Sequence, residues 1–588
     1  MSAIQTSSSA SARLMERLFR RNRTISGAEW AFIVGLLLLA AGLRFTGITA
    51  GQPDPRYSAS DTAAGLLPLE TPIHPDEYFF VSIPLQMAVS RYPNPKFFES
   101  PSFTINVNFL LYLLTGTGSD IDPATLTTVG QRQFAPFVAY FLGRAHIALA
   151  GVVVVVATYA TARRLGGRFA AAAAGLLAAV SFTLVQQSHY ATPSMDAAAW
   201  ASICVWACVA ALQQRRADGW IFALAGAASG LAATTRYNVA GVSLLVFFSG
   251  LVLLYRFREA RTVRLVLVGW LLFPLFFVLG TPAILFDFPK FFDDFYHITD
   301  QFLVSGVGFT ENYLTDPWLS LTFHLRYIAV FSLGLTATVA VGLGVVAAWN
   351  QRAREVALLR HRSNRVFVVM LLVYLLVYTL VVLRNKRPSY NDHMLVPILS
   401  HLMLLAGLGA AWLRGRIRHP SVWVGPILIL VLVLPTLIPA VEFVERLTVP
   451  DTRYQMQHWV YDHVPRGANI HLSGPYNVPL DPADYPTTQT YIDDFTPPDV
   501  LRAQGADYII LSDAWLHDVT RSAEFMPPEF VQQVQAYYAS YDAALTLMAR
   551  VERPQWFGPN WIMHTASYWH HPGLSLYCLT PAACAAVQ

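Results

Sequence analysis

Charge is what this chain has least of. Only 13% of its 588 residues are Asp, Glu, Lys or Arg, while 54% are hydrophobic. An ordinary soluble domain carries about a quarter charged residues. The shortfall is gathered into long apolar runs, which excludes a water-soluble globular protein and defines a polytopic membrane protein. Cysteine is scarce too, at four residues. Cys204 and Cys208 stand four apart inside an apolar run and read as packing residues on one helix face. Cys578 and Cys584 lie near the C-terminus, where a disulfide and two free thiols are both open. No Cys/His array has zinc-site spacing and no glycine loop suits a nucleotide phosphate, so neither a zinc module nor a nucleotide or nucleic-acid partner is expected.

Crossing roughly 30 Å of hydrocarbon takes about 20 apolar residues. About eleven runs approach that length, near 28–46, 137–161, 169–187, 197–213, 219–235, 239–255, 265–281, 325–349, 366–383, 394–413 and 421–440. The run from Phe103 to Leu114 is too brief to cross and predicts an interfacial or re-entrant helix within a loop. Arg13, Arg17, Arg20, Arg21 and Arg23 precede the first run and hold the N-terminus in the cytoplasm. Arg44 at the far end of that run favours a retained anchor over a cleaved signal. Later arginines, from Arg163 and Arg164 to Arg414 and Arg416, fall in alternate loops on the same side. An odd number of spans then puts the C-terminal tail outside.

The predicted layout is a basic cytoplasmic N-terminus (1–27), a transmembrane module (28–445) whose first outer loop covers 47–136, and an extracytoplasmic C-terminal domain (446–588). The location is the cell (inner or plasma) membrane. In the tail, Arg453 to His463 has helical spacing, while Ala468 to Leu472 and Tyr508 to Ser512 read as strands. Helix alternating with strand predicts a small α/β domain.

Against this apolar background the chain places His74, Pro75, Asp76 and Glu77 at the head of a hydrophilic stretch in the first outer loop. Ionisable groups where a bundle meets water ask for a chemical reason. Pro-Asp-Glu is also good first-turn chemistry for a helix, and a helix start would fix the direction of the acid. Asp196 stands in a tight outer turn that begins at His189, at the start of an apolar helix. Arg384, Lys386 and Arg387, followed by Tyr390, break the charge bias by lying on the outer side, and so does Arg236 in a short outer turn. Snorkelling to headgroups explains any one of them, whereas a cluster points to a bound anion such as phosphate. One carboxylate and one cationic cluster on the same face are what inverting sugar transfer from a lipid phosphate requires. A base takes the acceptor proton, and cations stabilise the leaving phosphate. The expected roles are Asp76 and Glu77 in catalysis, His74, Asp196 and His189 around the acceptor cavity, and Arg384, Lys386, Arg387, Arg236 and Tyr390 at the donor phosphate.

These residues resemble the GT-C superfamily of integral-membrane glycosyltransferases, within the bacterial set related to protein O-mannosyltransferases and aminoarabinose transferases. The His74 to Glu77 run also resembles the first-loop motif of the GPI-anchor and lipid-linked-oligosaccharide mannosyltransferases. The stretch from Arg387 to Pro397 is similar to a late Arg-Tyr-Leu-Leu-Pro style motif, with extra polar residues. The resemblance implies a polyprenyl-phosphate-linked sugar donor and acceptor activation by Asp76. It also implies that Asp196 matches the outer-turn acid of the bacterial members. The acceptor would be a lipid, a glycan or a protein, with membrane lipids as further partners. No cofactor is indicated; some relatives bind a divalent metal, and no ligand set here singles one out. The competing readings are a lipid or glycan transporter or flippase, and a glycan polymerase or ligase. A transporter would want charges near the bilayer midplane and internal repeats, and the polar residues collect at the outer ends instead.

Overall fold

In a computed structural model of the protein the described residues are 26–51, 66–68, 74, 76–121, 134–214, 219–301, 316–349, 362–383, 392–417, 421–474, 477–481, 483–490, 495–552 and 571–587. The chain enters through α1 (Gly27–Phe45), where the Ser26 hydroxyl caps the helix by accepting the Glu29 N–H at 3.3 Å. β1 (Leu66–Pro68) later pairs antiparallel with β2 (Phe134–Pro136). Between them lie α2 (Glu77–Ser90) and α3 (Phe103–Thr115). The latter is the short helix expected within the first loop, and Gly116 ends it in the left-handed region at φ 70°.

α4 (Phe137–Val180) takes in the second predicted span and most of the third, because the chain reverses at Gly167 (φ 84°, ψ −167°). Contacts with α1 prove the reversal. Arg144 donates to the Ile48 and Ala50 carbonyls just past the end of α1. Arg163 and Arg168 close on Glu29 at its beginning. Arg44, back at its end, donates to the Ala178 and Ala179 carbonyls. The two limbs are therefore antiparallel, with an arginine-rich end and an acid-bearing end.

The chain continues through α5 (Phe182–Gln187), α6 (Ser194–Leu212), α7 (Gly219–Ala233), a 3-10 turn (Tyr237–Val242), α8 (Ser243–Phe257) and α9 (Ala260–Gly280). α7 crosses α9 so closely that a Cβ on Gly226 would collide with the Gly269 carbonyl oxygen. The amphipathic α10 (Phe288–Asp300) follows, then α11 (Pro317–Tyr327), a π-turn (Ile328–Ser332) and α12 (Leu335–Trp349). Here the structure corrects the expected single span at 325–349: the two arms are bent by 111°. The break falls at Gly334 (φ 80°), against which Pro435 packs. α13 (Arg362–Leu383), α14 (Asp392–Arg416) and α15 (Val424–Leu447) complete the bundle.

Among the described residues eight helices are long and apolar enough to cross a membrane, or nine when the bent pair is one span. α4 carries two predicted spans, and α7 is 15 residues long, shorter than a full crossing. Those two facts account for the difference from about eleven runs. The protein is a polytopic α-helical membrane protein.

The larger sheet of the chain lies in its C-terminal region, in the order β4-β3-β5-β7-β6. Its elements are α16 (Thr452–His463), β3 (Ile470–Ser473), β4 (Thr487–Thr490), α17 (Pro498–Ala503), β5 (Tyr508–Ser512), α18 (Ala514–Arg521), α19 (Pro528–Ala544), β6 (Thr546–Val551), β7 (Leu574–Cys578) and α20 (Pro581–Val587). β3 runs parallel to β4 and β5, and β7 is antiparallel to β5 and β6. Alternation along β5 feeds two cores. Tyr508 and Ile510 join Met456, Val460 and Leu576 on one face, while Ile509 and Leu511 join Trp515, Val534 and Tyr577 on the other. Cys578 and Cys584 form a disulfide with Cα atoms 5.2 Å apart. Phe323 of α11 enters the second core, and the Tyr454 hydroxyl donates to the Gly51 carbonyl at 2.8 Å, so the domain rests against the acid-bearing end of the bundle.

Candidate active site at the acid-bearing end

Asp76 and Glu77 are neighbours with opposite circumstances. Glu77, the first residue of α2, is fully buried. Arg144 grips it bidentately, Nε to Oε1 at 2.8 Å and the far guanidinium nitrogen to Oε2 at 2.9 Å. The Ala191 N–H donates to Oε1 at 2.9 Å, and the His74 N–H to Oε2 at 3.4 Å. Burial alone would raise the Glu77 carboxyl, but the Arg144 guanidinium and these N–H donors more than offset it and hold it below the usual carboxylate range. Glu77 thus ties α2, α4 and the turn before α6 into one unit.

Asp76 takes the N-cap position of α2, yet its side chain caps nothing. Its N–H donates to His74 Nδ1 at 3.1 Å, and the His74 ring lies 4.8 Å from that of Tyr190. The half-buried Asp76 carboxylate has no hydrogen-bond or ion-pair partner among the described residues.

Asp196, in the first turn of α6, accepts the Thr104 hydroxyl at 2.7 Å on Oδ2, and its Oδ1 lies 3.1 Å from His146 Nε2. His146 Nδ1 faces Asn108 Oδ1 at 3.2 Å, and Asn108 Nδ2 donates to the Phe80 carbonyl of α2 at 2.9 Å. Four helices, α2, α3, α4 and α6, are therefore joined by one polar chain. His189 lies in the turn before α6 and meets backbone. Its Nδ1 faces the Val185 carbonyl at 2.8 Å and its Nε2 the Thr46 carbonyl at 3.0 Å, which tethers α5 to the end of α1. Both ring nitrogens face backbone carbonyls.

The same polar surface extends to the turn that carries Arg236. The Phe103 N–H, at the start of α3, donates to the Thr234 carbonyl at 3.2 Å, and the Tyr237 hydroxyl donates to the Phe98 carbonyl at 2.8 Å. Asn238 Nδ2 donates to the Tyr378 hydroxyl of α13 at 3.0 Å. The turn thus bridges the first loop to α13, whose end leads into the chain segment holding Arg384, Lys386, Arg387 and Tyr390. Those four residues lie outside the described residues. Tyr237, the next residue in the chain after Arg236, lines an apolar cavity of about 370 Å³ together with Phe273, Pro274, Phe277, Phe291 and Phe295. Among the described residues no three His, Cys, Asp or Glu side chains gather as a metal site would need.

Arg144, His146 and Thr104 are the site residues that motif reasoning passed over. The first two sit inside the apolar run 137–161, and an ionisable side chain within a span is itself a functional signal.

The fold is that of a multi-span membrane protein with a polar cluster of buried acids at one end of its bundle. Residues 96–298 match the family of dolichyl-phosphate-mannose-protein mannosyltransferases. That segment begins downstream of Asp76 and Glu77 and includes Arg144, His146, His189, Asp196 and Arg236. Among solved structures, ArnT from Cupriavidus metallidurans bound to undecaprenyl phosphate is similar at 15% identity, covering 95% of this chain and 99% of that one, with a TM-score of 0.45. The oligosaccharyltransferase AglB from Archaeoglobus fulgidus, in complex with an inhibitory peptide and a dolichol-phosphate, is similar at 10% identity, covering 91% and 74%, with a TM-score of 0.42. The arabinofuranosyltransferase AftD from Mycobacteria is similar at 15% identity, covering 95% and 42%, with a TM-score of 0.41. No curated protein matches the chain.

Proposed function

We propose that the protein transfers a sugar from a polyprenyl-phosphate donor to a lipid, glycan or protein acceptor, with Asp76 as general base and inversion at the anomeric carbon. The acceptor hydroxyl gives its proton to Asp76 as its oxygen bonds to the anomeric carbon. The bond from that carbon to the phosphate oxygen breaks, and polyprenyl phosphate leaves. The observation that carries this reading is the contrast among the acids. Glu77 is closed on Arg144, Ala191 and His74, and Asp196 on Thr104 and His146. Asp76, held at a fixed helix start by that Glu77 clamp, keeps an uncommitted carboxylate. A base needs such a free oxygen within reach of the proton it takes.

On the donor side, Arg236, Arg384, Lys386, Arg387 and Tyr390 bind the phosphate. The apolar cavity lined by Tyr237 suits the first isoprenoid units of the donor chain. The match to a family named for a dolichyl-phosphate-linked sugar supports the same donor class. The acid-bearing end and the C-terminal domain face the outside of the cell membrane, in keeping with the arginines that crowd the opposite end.

The test is Asp76→Asn in the purified protein, supplied with polyprenyl-phosphate sugars and membrane acceptors. Transfer falls by about 10²–10⁴-fold while the thermal melt is unchanged. Transfer at the wild-type rate removes Asp76 as the base. Mass spectrometry of polyprenyl-linked and surface glycans, with and without the protein, names the sugar.

A further inference from the structure

Asn108 makes the contact between His146 and Asp196 asymmetric. Its Nδ2 donates to the Phe80 carbonyl at 2.9 Å, so the atom it turns to His146 Nδ1, at 3.2 Å, is Oδ1, an acceptor only. Nδ1 therefore carries a hydrogen. On the other side of the ring, Nε2 stands 3.1 Å from Asp196 Oδ1. Two bare acceptors at that separation repel, so this contact holds one further proton, on Nε2 or on Oδ1. Thr104 occupies Oδ2, at 2.7 Å, with its only hydrogen. The Asp196 side chain is 4% exposed and that of His146 14%, so the proton is reached over the imidazole ring.

We infer that His146 is a positioning residue of the transfer site. Through the proton it shares with Asp196, it fixes the hydrogen-bonding polarity that a hydroxyl-bearing acceptor meets there. Acceptor binding therefore follows the protonation of the pair. The ring is faced by Asp196 from α6, by Asn108 from α3 and, through Asn108, by the Phe80 carbonyl of α2. On its own helix, Arg144 is already closed on Glu77. Asp196 is thus the charged group that sets the state of the ring. The role in acceptor binding rests on the transferase reading; the shared proton does not.

The experiment uses the full chain in detergent and two variants, His146→Gln, which keeps an amide donor but does not titrate, and Asp196→Asn. Melting temperature is followed from about pH 5 to 8, the range in which an imidazole titrates, and needs no substrate. A part of the wild-type pH dependence that both variants lack, with His517→Gln as background in all three chains, is the expected result; curves of the same shape in all three overturn the shared proton. If His146→Gln does not fold, Asp196→Asn decides alone. In transfer assays His146→Gln raises the acceptor KM about tenfold, the scale of one lost charged hydrogen bond, with kcat changed far less and the pH dependence of KM gone. A wild-type KM and pH profile in that variant overturns the positioning role. Should the wild-type chain transfer no sugar, the transferase reading fails while the melting curves still report on the pair.

Discussion

The two ends of the bundle treat their acids in opposite ways. At the arginine-rich end Glu29 is shared between Arg163 and Arg168 and also accepts the Tyr159 hydroxyl, and the Arg168 side chain is 54% exposed. Two cations, one of them in solvent, crowd one buried anion, and the result is a staple between α1 and the turn of α4. At the other end Glu77 is paired with Arg144 and Asp196 with His146, while Asp76 has no partner among the described residues. The first arrangement holds helices together. The second also leaves the Asp76 carboxylate without a partner among the described residues, as the proposed base requires.

Substitutions can break this comparison. The largest expected loss of stability is from Glu77→Gln or Arg144→Met, each of which strands a buried partner and costs about 3–5 kcal/mol. Thermal unfolding in detergent measures it. The double variant Glu77→Leu with Arg144→Met should recover part of that loss, because removing both charges leaves nothing unpaired; a double variant worse than either single would contradict the clamp. Glu29→Gln is expected to cost less, roughly 1.5–3 kcal/mol, and to leave sugar transfer within twofold of wild type. A large loss of transfer there would erase the distinction between the two ends.

The smallest effect lies in the C-terminal domain and concerns pH. Burial alone would lower the His517 imidazole, but the Asp513 carboxylate 2.9 Å away more than offsets it and holds the ring above its usual value. The stabilisation is complete below the unfolded value of about 6.5 and fades as pH rises through the raised folded one. His517→Gln should therefore flatten the melting curve between about pH 6 and 8; equal slopes in the two proteins would refute the pairing.

Much of the fold is legible in the sequence because hydropathy and period are local properties. Tyr508 to Ser512 reads as a strand and is one, and Arg453 to His463 reads as the helix it forms. The bend within 325–349 is not legible, since Leu333 and Gly334 sit in an unbroken apolar run. What turns the chain there is a glycine at positive φ with Pro435, a hundred residues onward, packed against it. Asp196 stands out in its turn, but its partner His146 comes from α4, fifty residues earlier. Within an apolar run, hydropathy averages over such a residue, whereas its cost in lipid should single it out.

The reversal at Gly167 works as a length gauge. Arg144 and the Ala191 N–H reach the same carboxylate from chain positions on either side of that turn, which requires the two limbs to match in rise. Adding or removing one helical turn from a single limb would slide its tip by about 5.4 Å, more than the guanidinium can span. The loop acid's orientation is thus calibrated by counting residues on both sides of a distant glycine.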